Sequence, residues 1–118
     1  MSEVVINSCY GGFSLSEKAI RRYSDIKNLG LIGEKNERFK SINMIYKKPD
    51  GEYWSDSEIP RGDPDLIAVV RELGREANGN RASLKIVDVP SGSHYRIGEY
   101  DGTEWIEKRD DIEWIVAP

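Results

Sequence analysis

The chain has 118 residues, of which 38% are hydrophobic and 32% are charged, so it suffices for one domain over residues 1–118 but not for two. Its net charge of −4 and its isoelectric point near 5.1 argue against binding to nucleic-acid polymers, which requires a basic surface. A single cysteine and a single histidine exclude an intramolecular disulfide, a zinc finger and a Cys/His metal cluster, and no motif implies a cofactor.

The location of the chain follows from the absence of targeting signals. No basic segment followed by an apolar one stands at the N-terminus, and no apolar run approaches the ~18 residues that a membrane span requires. We therefore expect neither a signal peptide nor contact with a membrane, and we expect the chain in the cytoplasm. A local basic pocket stays open as an alternative, because 17 Lys and Arg residues are scattered among 21 Asp and Glu residues.

The first predicted elements are a buried strand and a helix, connected by a glycine-containing turn. Residues 4–6 are an apolar, β-branched run of the kind that covered strands favour. Gly11 and Gly12 allow the backbone to reverse tightly. Ser14 and Glu17 have the spacing of a capping box, which predicts that a helix begins here.

This first helix is predicted over residues 15–29, with Gly30 in the left-handed conformation that ends it. Apolar residues recur at helical spacing and predict one buried stripe. The stripe consists of Leu15, Ala19, Tyr23 and Ile26. Residues 32–40 are polar and contain Gly33, so we predict a loop after the helix.

Two short strands are predicted in the middle of the chain. Residues 41–48 alternate between apolar and polar side chains, which is typical of a strand with one buried face. Residues 48–52 carry a proline and a glycine in the positions of a turn. Tyr53 and Trp54 then return as a short second strand or as an exposed flap, and residues 55–62 are irregular.

The second helix has a clear start signal. Asp63 can cap the helix, Pro64 fits its first position, and Asp65 suits the positive end of the helix dipole. The predicted buried face consists of Leu66, Val69, Val70, Leu73 and Ala77. Gly74 inside the helix costs about 1 kcal/mol relative to alanine, so we predict that something packs closely against it. Residues 78–79 end the helix.

Four further strands are predicted after the second helix, and two of them form a hairpin. Residues 83–89 are apolar on both faces, which predicts a central strand. Residues 95–100 and 103–108 read as the two strands of a hairpin, residues 109–111 as a turn, and residues 112–116 as a last strand. The order β-α-β-β-α-β-β-β-β predicts an α+β domain with two helices on one face of a mostly antiparallel sheet.

The hairpin is predicted down to its register. Asp101 and Gly102 are typical of a two-residue turn of the primed type. The resulting pairs are Ile97 with Ile106, Arg96 with Glu107, Gly98 covered by Trp105, and Glu99 with Glu104. The last pair places like charges opposite each other, which costs free energy unless a cation or the sheet edge relieves it.

The turn between the first strand and the first helix is a candidate anion site. Backbone N–H groups at a helix N-terminus, together with serine hydroxyls, suit a phosphate or a carboxylate. The candidate ligand-binding residues here are Ser8, Tyr10, Gly11, Gly12 and Ser14. The glycine spacing matches neither a P-loop nor a dinucleotide-binding fingerprint, so an ordinary capped turn is the simpler interpretation.

Three more residues are candidates for ligand binding. Arg61 stands just before the second helix, where its guanidinium could clamp a phosphate or a carboxylate; the alternative is an exposed arginine beside many acids. Tyr53 and Trp54 could stack on a base or fill a pocket of a partner, and the alternative is that they cover the core.

Cys9, His94 and Asp88 are the residues from which a hydrolase could be built. Cys9 lies just before the first predicted helix, whose dipole would lower the pKa of the thiol. His94 is the only histidine available as a base. Nothing in the sequence places the three together, and an inert thiol with a solvated histidine is the simpler interpretation. We therefore predict that the chain is not an enzyme.

Two parts of the sequence together resemble a family of short, mostly hypothetical proteins of tailed bacteriophages and prophages. They are residues 4–16, and residues 61–66 continued through residues 84–90 to residues 99–102. The likeness covers about two thirds of the chain and leaves out residues 31–58. No catalytic motif accompanies this family, so no functional residue is carried over.

The resemblance implies a small accessory protein that acts in an infected bacterial cell. Such proteins often counter host defence, either by sequestering a nucleotide-derived or phosphorylated signal molecule or by occluding a host protein. The first activity suits the glycine turn, Arg61 and the loop aromatics, and it often involves a homo-oligomer. The second suits an acidic surface with exposed aromatics and needs no pocket.

Overall fold

The computed structural model describes residues 2–34, 45–108 and 117. In chain order the elements are β1 (Ser2–Asn7), α1 (Glu17–Lys27), β2 (Ile32–Glu34), β3 (Ile45–Lys47), β4 (Tyr53–Trp54), α2 (Pro64–Leu73), β5 (Leu84–Val89), β6 (Tyr95–Tyr100) and β7 (Thr103–Lys108), with 3₁₀ turns at Asp56–Glu58 and Gly74–Ala77. Two helices and antiparallel strand pairs confirm the α+β class, and the predicted helices and strands that fall within the described residues occur in the predicted order, with β2 in addition. The predicted turn at residues 109–111 and strand at residues 112–116 lie outside the described residues.

The ribbon formed by β1 and β5 is covered on both faces. Val5 and Ile86 pack against the helices, whereas Val4 and Ile6 pack on the opposite face. The second face is completed by Val89 together with Val87, Ile97 and Ile106. Because successive side chains of a strand point to opposite faces, an unbroken apolar run can serve both layers.

The described strands form three separately paired groups instead of one continuous sheet. These groups are β1–β5, β2–β3–β4 and β6–β7. The strand predicted to be central is β5. It lies between two apolar layers, but among the described residues it forms backbone pairs only with β1. Both helices contact the same face of this ribbon through one apolar cluster.

Helix α1 begins two residues later than predicted, because its N-cap is Ser16. The Ser16 hydroxyl oxygen accepts the backbone N–H of Ala19 at 3.1 Å. The carbonyl of Ser14 instead accepts the backbone N–H of Gly79 at 2.9 Å, which holds this residue outside the helix. The predicted capping box of Ser14 and Glu17 is therefore wrong.

The end of α1 and its buried stripe also differ from the prediction. The helix ends at Asn28, which is left-handed with a φ of 56°, ahead of Gly30. Ile20 and Ser24 are buried, whereas Ile26 is 36% exposed. The residues of α1 that face the core follow one another at intervals of three and four, and Ile26 lies outside this face.

Helix α2 begins as predicted and ends earlier. The Asp63 carboxylate accepts the backbone N–H of Asp65 at 2.9 Å, and Pro64 is the first helical residue. Gly74 ends the helix with a φ of 56°, and a Cβ at this position would meet no atom within 4 Å. The predicted close packing against Gly74 is therefore wrong: the glycine is required by its backbone conformation.

Asp63 also connects the two helices. Tyr23 donates its hydroxyl to Asp63 Oδ2 at 2.7 Å, and Lys27 Nζ lies 3.1 Å from the same oxygen and 3.1 Å from Asp65 Oδ2. Burial, reinforced by Asp63, raises the pKa of Tyr23 to about 12. Hydrogen bonds to Asp65 and Asp63 raise the pKa of Lys27 to about 12. Burial opposes ionisation of Asp63, but hydrogen bonds from Tyr23, Asp65 and Lys27 outweigh it and lower its pKa.

The sheet β2–β3–β4 occupies the middle of the chain. β2 begins the segment predicted as a loop, so that prediction is wrong for Ile32–Glu34. β3 confirms the end of the strand predicted over residues 41–48, and β4 confirms its short return strand. Residues 35–40 of the predicted loop and residues 41–44 of the predicted strand lie outside the described residues.

The hairpin β6–β7 has the predicted strands, turn and register. All four predicted pairs are found, and a Cβ on Gly98 would lie 2.5 Å from the Trp105 indole. Ile97 and Ile106 face the ribbon, while Trp105 lies on the outer face and donates its indole N–H to Glu107 at 3.0 Å.

Candidate functional site

The loop after β1 and the turn of the hairpin pack directly against each other at one end of the molecule. A Cβ on Gly102 would lie 2.4 Å from the backbone nitrogen of Gly12, and a Cβ on Gly11 would lie 1.7 Å from the carbonyl oxygen of Arg81. Only glycine permits such close approach of two backbones. We call the outer side of this end the tip surface. It is lined by Tyr10, Gly11, Gly12, Glu99, Asp101 and Gly102, and we include the exposed Tyr100, which stands between Glu99 and Asp101 in the chain.

Asn7 braces the tip surface from inside. Its side chain is fully buried, and its Nδ2 donates to the carbonyls of Cys9 and Gly102, both at 2.7 Å. Its Oδ1 accepts the backbone N–H of Ser83 at 2.8 Å. One amide therefore fixes three chain segments. Asn7 is not among the predicted site residues, although a polar residue directly after a buried apolar run was the available signal.

Arg61 forms a second brace with the hairpin. Its guanidinium donates two hydrogen bonds to the Glu104 carboxylate, at 2.6 and 2.8 Å, and its Cζ lies 3.6 Å from the centroid of the Phe13 ring. Glu104 also accepts the backbone N–H of Asn7 at 2.8 Å. The predicted repulsion between Glu99 and Glu104 is thus relieved by a cation.

The hydroxyls of the predicted anion site are engaged within the protein. Ser8 and Ser14 donate to backbone carbonyls at 3.0 and 3.5 Å. The backbone N–H of Leu15, just ahead of α1, donates to the Asp56 carboxylate at 2.9 Å. An incoming anion would compete with these bonds and would meet the charge of Asp56. These contacts support the simpler interpretation of a capped turn.

Two other predicted ligand-binding residues have structural partners. The fork of Arg61 that was predicted to clamp an anion already holds the carboxylate of Glu104. Trp54 is 9% exposed, and its ring centroid lies 6.2 Å from that of Tyr23 and 6.3 Å from that of Tyr46. The interpretation of Trp54 as part of an exposed flap is therefore wrong, because the indole is needed in the core. Tyr53 beside it is 68% exposed.

Large aromatic side chains are exposed at the tip surface. Tyr10 is 75% exposed and Tyr100 is 68% exposed. Glu99 and Asp101 are also exposed; they flank Tyr100 in the hairpin and line the same surface as Tyr10. Both tyrosines thus present large aromatic surfaces on a braced backbone.

The residues proposed for a hydrolase are not brought together. Asp88 pairs with Glu3 at the start of β1, whereas Cys9 follows the end of the strand, which is about 13 Å of extended chain away. His94 follows the end of β5, on the side of Asp88. The half-buried Cys9 thiol donates to the carbonyl of Arg81 at 2.8 Å. The geometry thus favours an inert thiol.

A groove on another side of the molecule brings together Ser14, Tyr53 and Trp54. Its volume is about 600 Å³, within the range of small-molecule sites. It lies between the start of α1, the strands β3 and β4, and residues 78–80. Arg61 and the tip surface do not line it among the described residues.

Two kinds of feature are absent from the described ranges 2–34 and 45–108. No helix there has both the length and the apolar character to cross a membrane, and no three His, Cys, Asp or Glu side chains cluster as metal ligands would. Comparison with protein-family models, with curated proteins and with solved structures finds no match for this chain.

Proposed function

We propose that this chain is a non-enzymatic binding protein that occupies a surface of another protein through its tip surface. The observation that carries the proposal is the exposure of Tyr10 and Tyr100, at 75% and 68%, on backbone that Asn7 and close glycine contacts hold in place. Tyrosines are frequent anchors of protein interfaces, and a braced backbone lowers the entropy lost on binding.

The charge of the tip surface indicates the chemistry of the partner. Glu99 and Asp101 flank Tyr100 in the chain and line the same surface as Tyr10, and the whole chain carries a net charge of −4. Complementary charge increases the rate of association and excludes wrong partners. We therefore propose a basic patch on the partner, with hydrophobic depressions that receive the two tyrosine rings. The resemblance to short phage proteins makes a bacterial host protein, including a defence protein, the class to screen first.

Sequestration of a nucleotide-like signal molecule is the alternative, and it has less support. The serines and the arginine that would bind its phosphate have partners within the protein. Light scattering during size exclusion, with the ratio of absorbance at ultraviolet wavelengths read on the same peak, distinguishes a homo-oligomer carrying nucleotide from a ligand-free species.

Site-specific photo-crosslinking tests the proposed contact. A photoreactive phenylalanine analogue replaces Tyr10 in one variant and Tyr53, exposed but outside the tip surface, in the other. We expect a crosslinked partner from Tyr10 and not from Tyr53. With the purified partner, Tyr10→Ala and Tyr100→Ala should each weaken binding by at least ~10-fold, and Tyr53→Ala by less than ~2-fold. Equal effects of all three variants would contradict the proposal.

A further inference from the structure

The groove between α1, β3 and β4 has an apolar floor and an acidic rim. Its apolar part is made by Leu15, Ile20, Ile45, Tyr46, Tyr53 and Trp54. Among the described residues that line it, the charged ones are Glu17 and Asp56, and both are negative. The volume of about 600 Å³ suits a small organic molecule instead of a single ion.

The two carboxylates act on the floor of the groove. Burial raises the pKa of Tyr46, the negative charges of Glu17 and Asp56 add to this, and Arg21 opposes it. The carboxylate of Glu17 is shared with Arg21, at 2.6 Å, and that of Asp56 accepts the backbone N–H of Leu15 at 2.9 Å. The positive end of α1 is thus already matched by acids, and a bound anion would face both of them.

Tyr53 adds an exposed aromatic edge to the groove, and its ring already holds one cation. Its ring is 68% exposed at the edge of the groove, and one ammonium group, that of Lys47, already lies 5.3 Å from the ring centroid. Aromatic rings attract cations through their negative faces. A ligand with an apolar body and a positive charge therefore matches the apolar floor, the acidic rim and the aromatic edge of the groove.

From this combination we infer that the groove is a binding site for a small amphipathic amine, whose aromatic or aliphatic body lies on Tyr46 and Trp54 while its ammonium group approaches Glu17 and Asp56. The site is separate from the tip surface, so it does not depend on the proposed protein partner. Its affinity for a fragment-sized amine should be in the millimolar range, as expected for a ligand of that size.

Nuclear magnetic resonance titration with three indoles tests the inference, because they share one body and differ in charge. Tryptamine is cationic, tryptophol is neutral and indole-3-propionate is anionic. We expect saturable shifts of backbone amides at Ile20, Tyr53 and Asn80, with tryptamine binding about 3-fold tighter than tryptophol and indole-3-propionate weakest. Indole-3-propionate binding as tightly as tryptamine, shifts confined to other surfaces, or no saturable shift with any indole would each overturn it.

Variants of an exposed ion pair separate charge recognition from shape. Glu17→Gln should weaken tryptamine about 3-fold and leave tryptophol unchanged, whereas Arg21→Gln, which releases Glu17 from its partner, should strengthen tryptamine. Glu72→Gln is the matched control, since Glu72 has a similar exposed pair with Arg22 and does not line the groove. An equal effect of Glu17→Gln and Glu72→Gln on tryptamine would overturn the role of the rim.

The aromatic edge is tested in the same titration. Tyr53→Ala should weaken tryptamine and tryptophol to a similar extent, because both lose apolar contact with a ring whose cation–π partner is already Lys47. Tyr10→Ala, an equally exposed tyrosine outside the groove, should change neither affinity. If Tyr10→Ala and Tyr53→Ala have the same effect, the indoles bind unspecifically and the inference fails.

Discussion

Arg61 and Glu104 are joined by two parallel hydrogen bonds of 2.6 and 2.8 Å, with the guanidinium stacked on Phe13. The Glu104 side chain is 8% exposed and that of Arg61 is 21% exposed. This pair fastens the segment before α2 to the hairpin and satisfies the backbone N–H of Asn7 at the edge of β1. It explains why Glu104 can stand opposite Glu99 in the hairpin.

Removal of Glu104 should destabilise the fold. Glu104→Ala leaves a largely buried guanidinium and a backbone N–H without their acceptor, at a cost of about 2 to 3 kcal/mol in the free energy of unfolding measured with urea. Glu99→Ala, in the exposed member of the same cross-strand pair, is the control and should cost less than about 1 kcal/mol.

In a double-mutant cycle, Arg61→Ala and Glu104→Ala together should cost less than the sum of the two, and additive costs would contradict the pairing.

Asn7 should be as important as an apolar core residue. Asn7→Ala leaves the carbonyls of Cys9 and Gly102 and the N–H of Ser83 without their buried partner. We expect a loss of about 2 to 4 kcal/mol in urea unfolding. Asn80→Ala changes the same residue type at an exposed position and should cost less than about 0.5 kcal/mol. Similar values for both variants would show that Asn7 is no brace.

Gly102 and Gly92 allow close packing to be separated from backbone strain. Both have a positive φ, 92° and 81°, but a Cβ on Gly102 would lie 2.4 Å from the nitrogen of Gly12, whereas one on Gly92 would meet no atom within 4 Å. Gly92→Ala should therefore cost the strain alone, about 1 to 2 kcal/mol, and Gly102→Ala about 1 to 3 kcal/mol more. Thermal unfolding of the two variants side by side measures the difference.

The junction between the helices predicts a loss of stability at alkaline pH. The pKa of Tyr23 rises from 10.0 to about 12 and that of Lys27 from 10.5 to about 12 on folding, so both protons are held by the folded state and lost by the unfolded one in this interval. The contribution of the two groups to the free energy of unfolding is thus fully present below pH 10 and is lost as the pH rises to about 12. For Tyr23 this loss is about 2 kcal/mol.

Tyr23→Phe removes the phenol and should flatten this dependence while lowering stability at neutral pH, because Asp63 loses a hydrogen bond of 2.7 Å. Urea midpoints across the alkaline range, with Tyr53→Phe at an exposed tyrosine as control, provide the measurement. The same slope for Tyr23→Phe and the unsubstituted chain would show that Tyr23 does not contribute.

Features encoded by neighbouring residues could be predicted from the sequence. The register of the hairpin follows from a two-residue turn, and the start of α2 from Asp63 and Pro64. The start of α1 could not be decided locally, because Ser14 and Ser16 are both suitable caps. A backbone bond from Gly79 to Ser14 selects Ser16.

The candidate site was harder to predict than the fold. Arg61 and Glu104 are far apart in sequence, and a single arginine before a helix has the same pattern whether it binds a ligand or a carboxylate of the same chain. The like charges of Glu99 and Glu104 did indicate that either a cation or the sheet edge must relieve their repulsion, but not which of the two, nor which cation. Trp54 was ambiguous for a similar reason, since the partners that bury it are Tyr23 on α1 and Tyr46 on β3.

The pairing of β1 with β5 has a consequence for synthesis of the chain. Asn7 pairs with Leu84, so β1 finds its partner only after roughly 80 residues have been made, and closure of so long a loop is slow. At the usual rates of translation this leaves the apolar residues of β1 without a sheet partner for several seconds. During this interval the nascent chain presents an unpaired hydrophobic strand, which is the kind of segment that ribosome-associated chaperones shield.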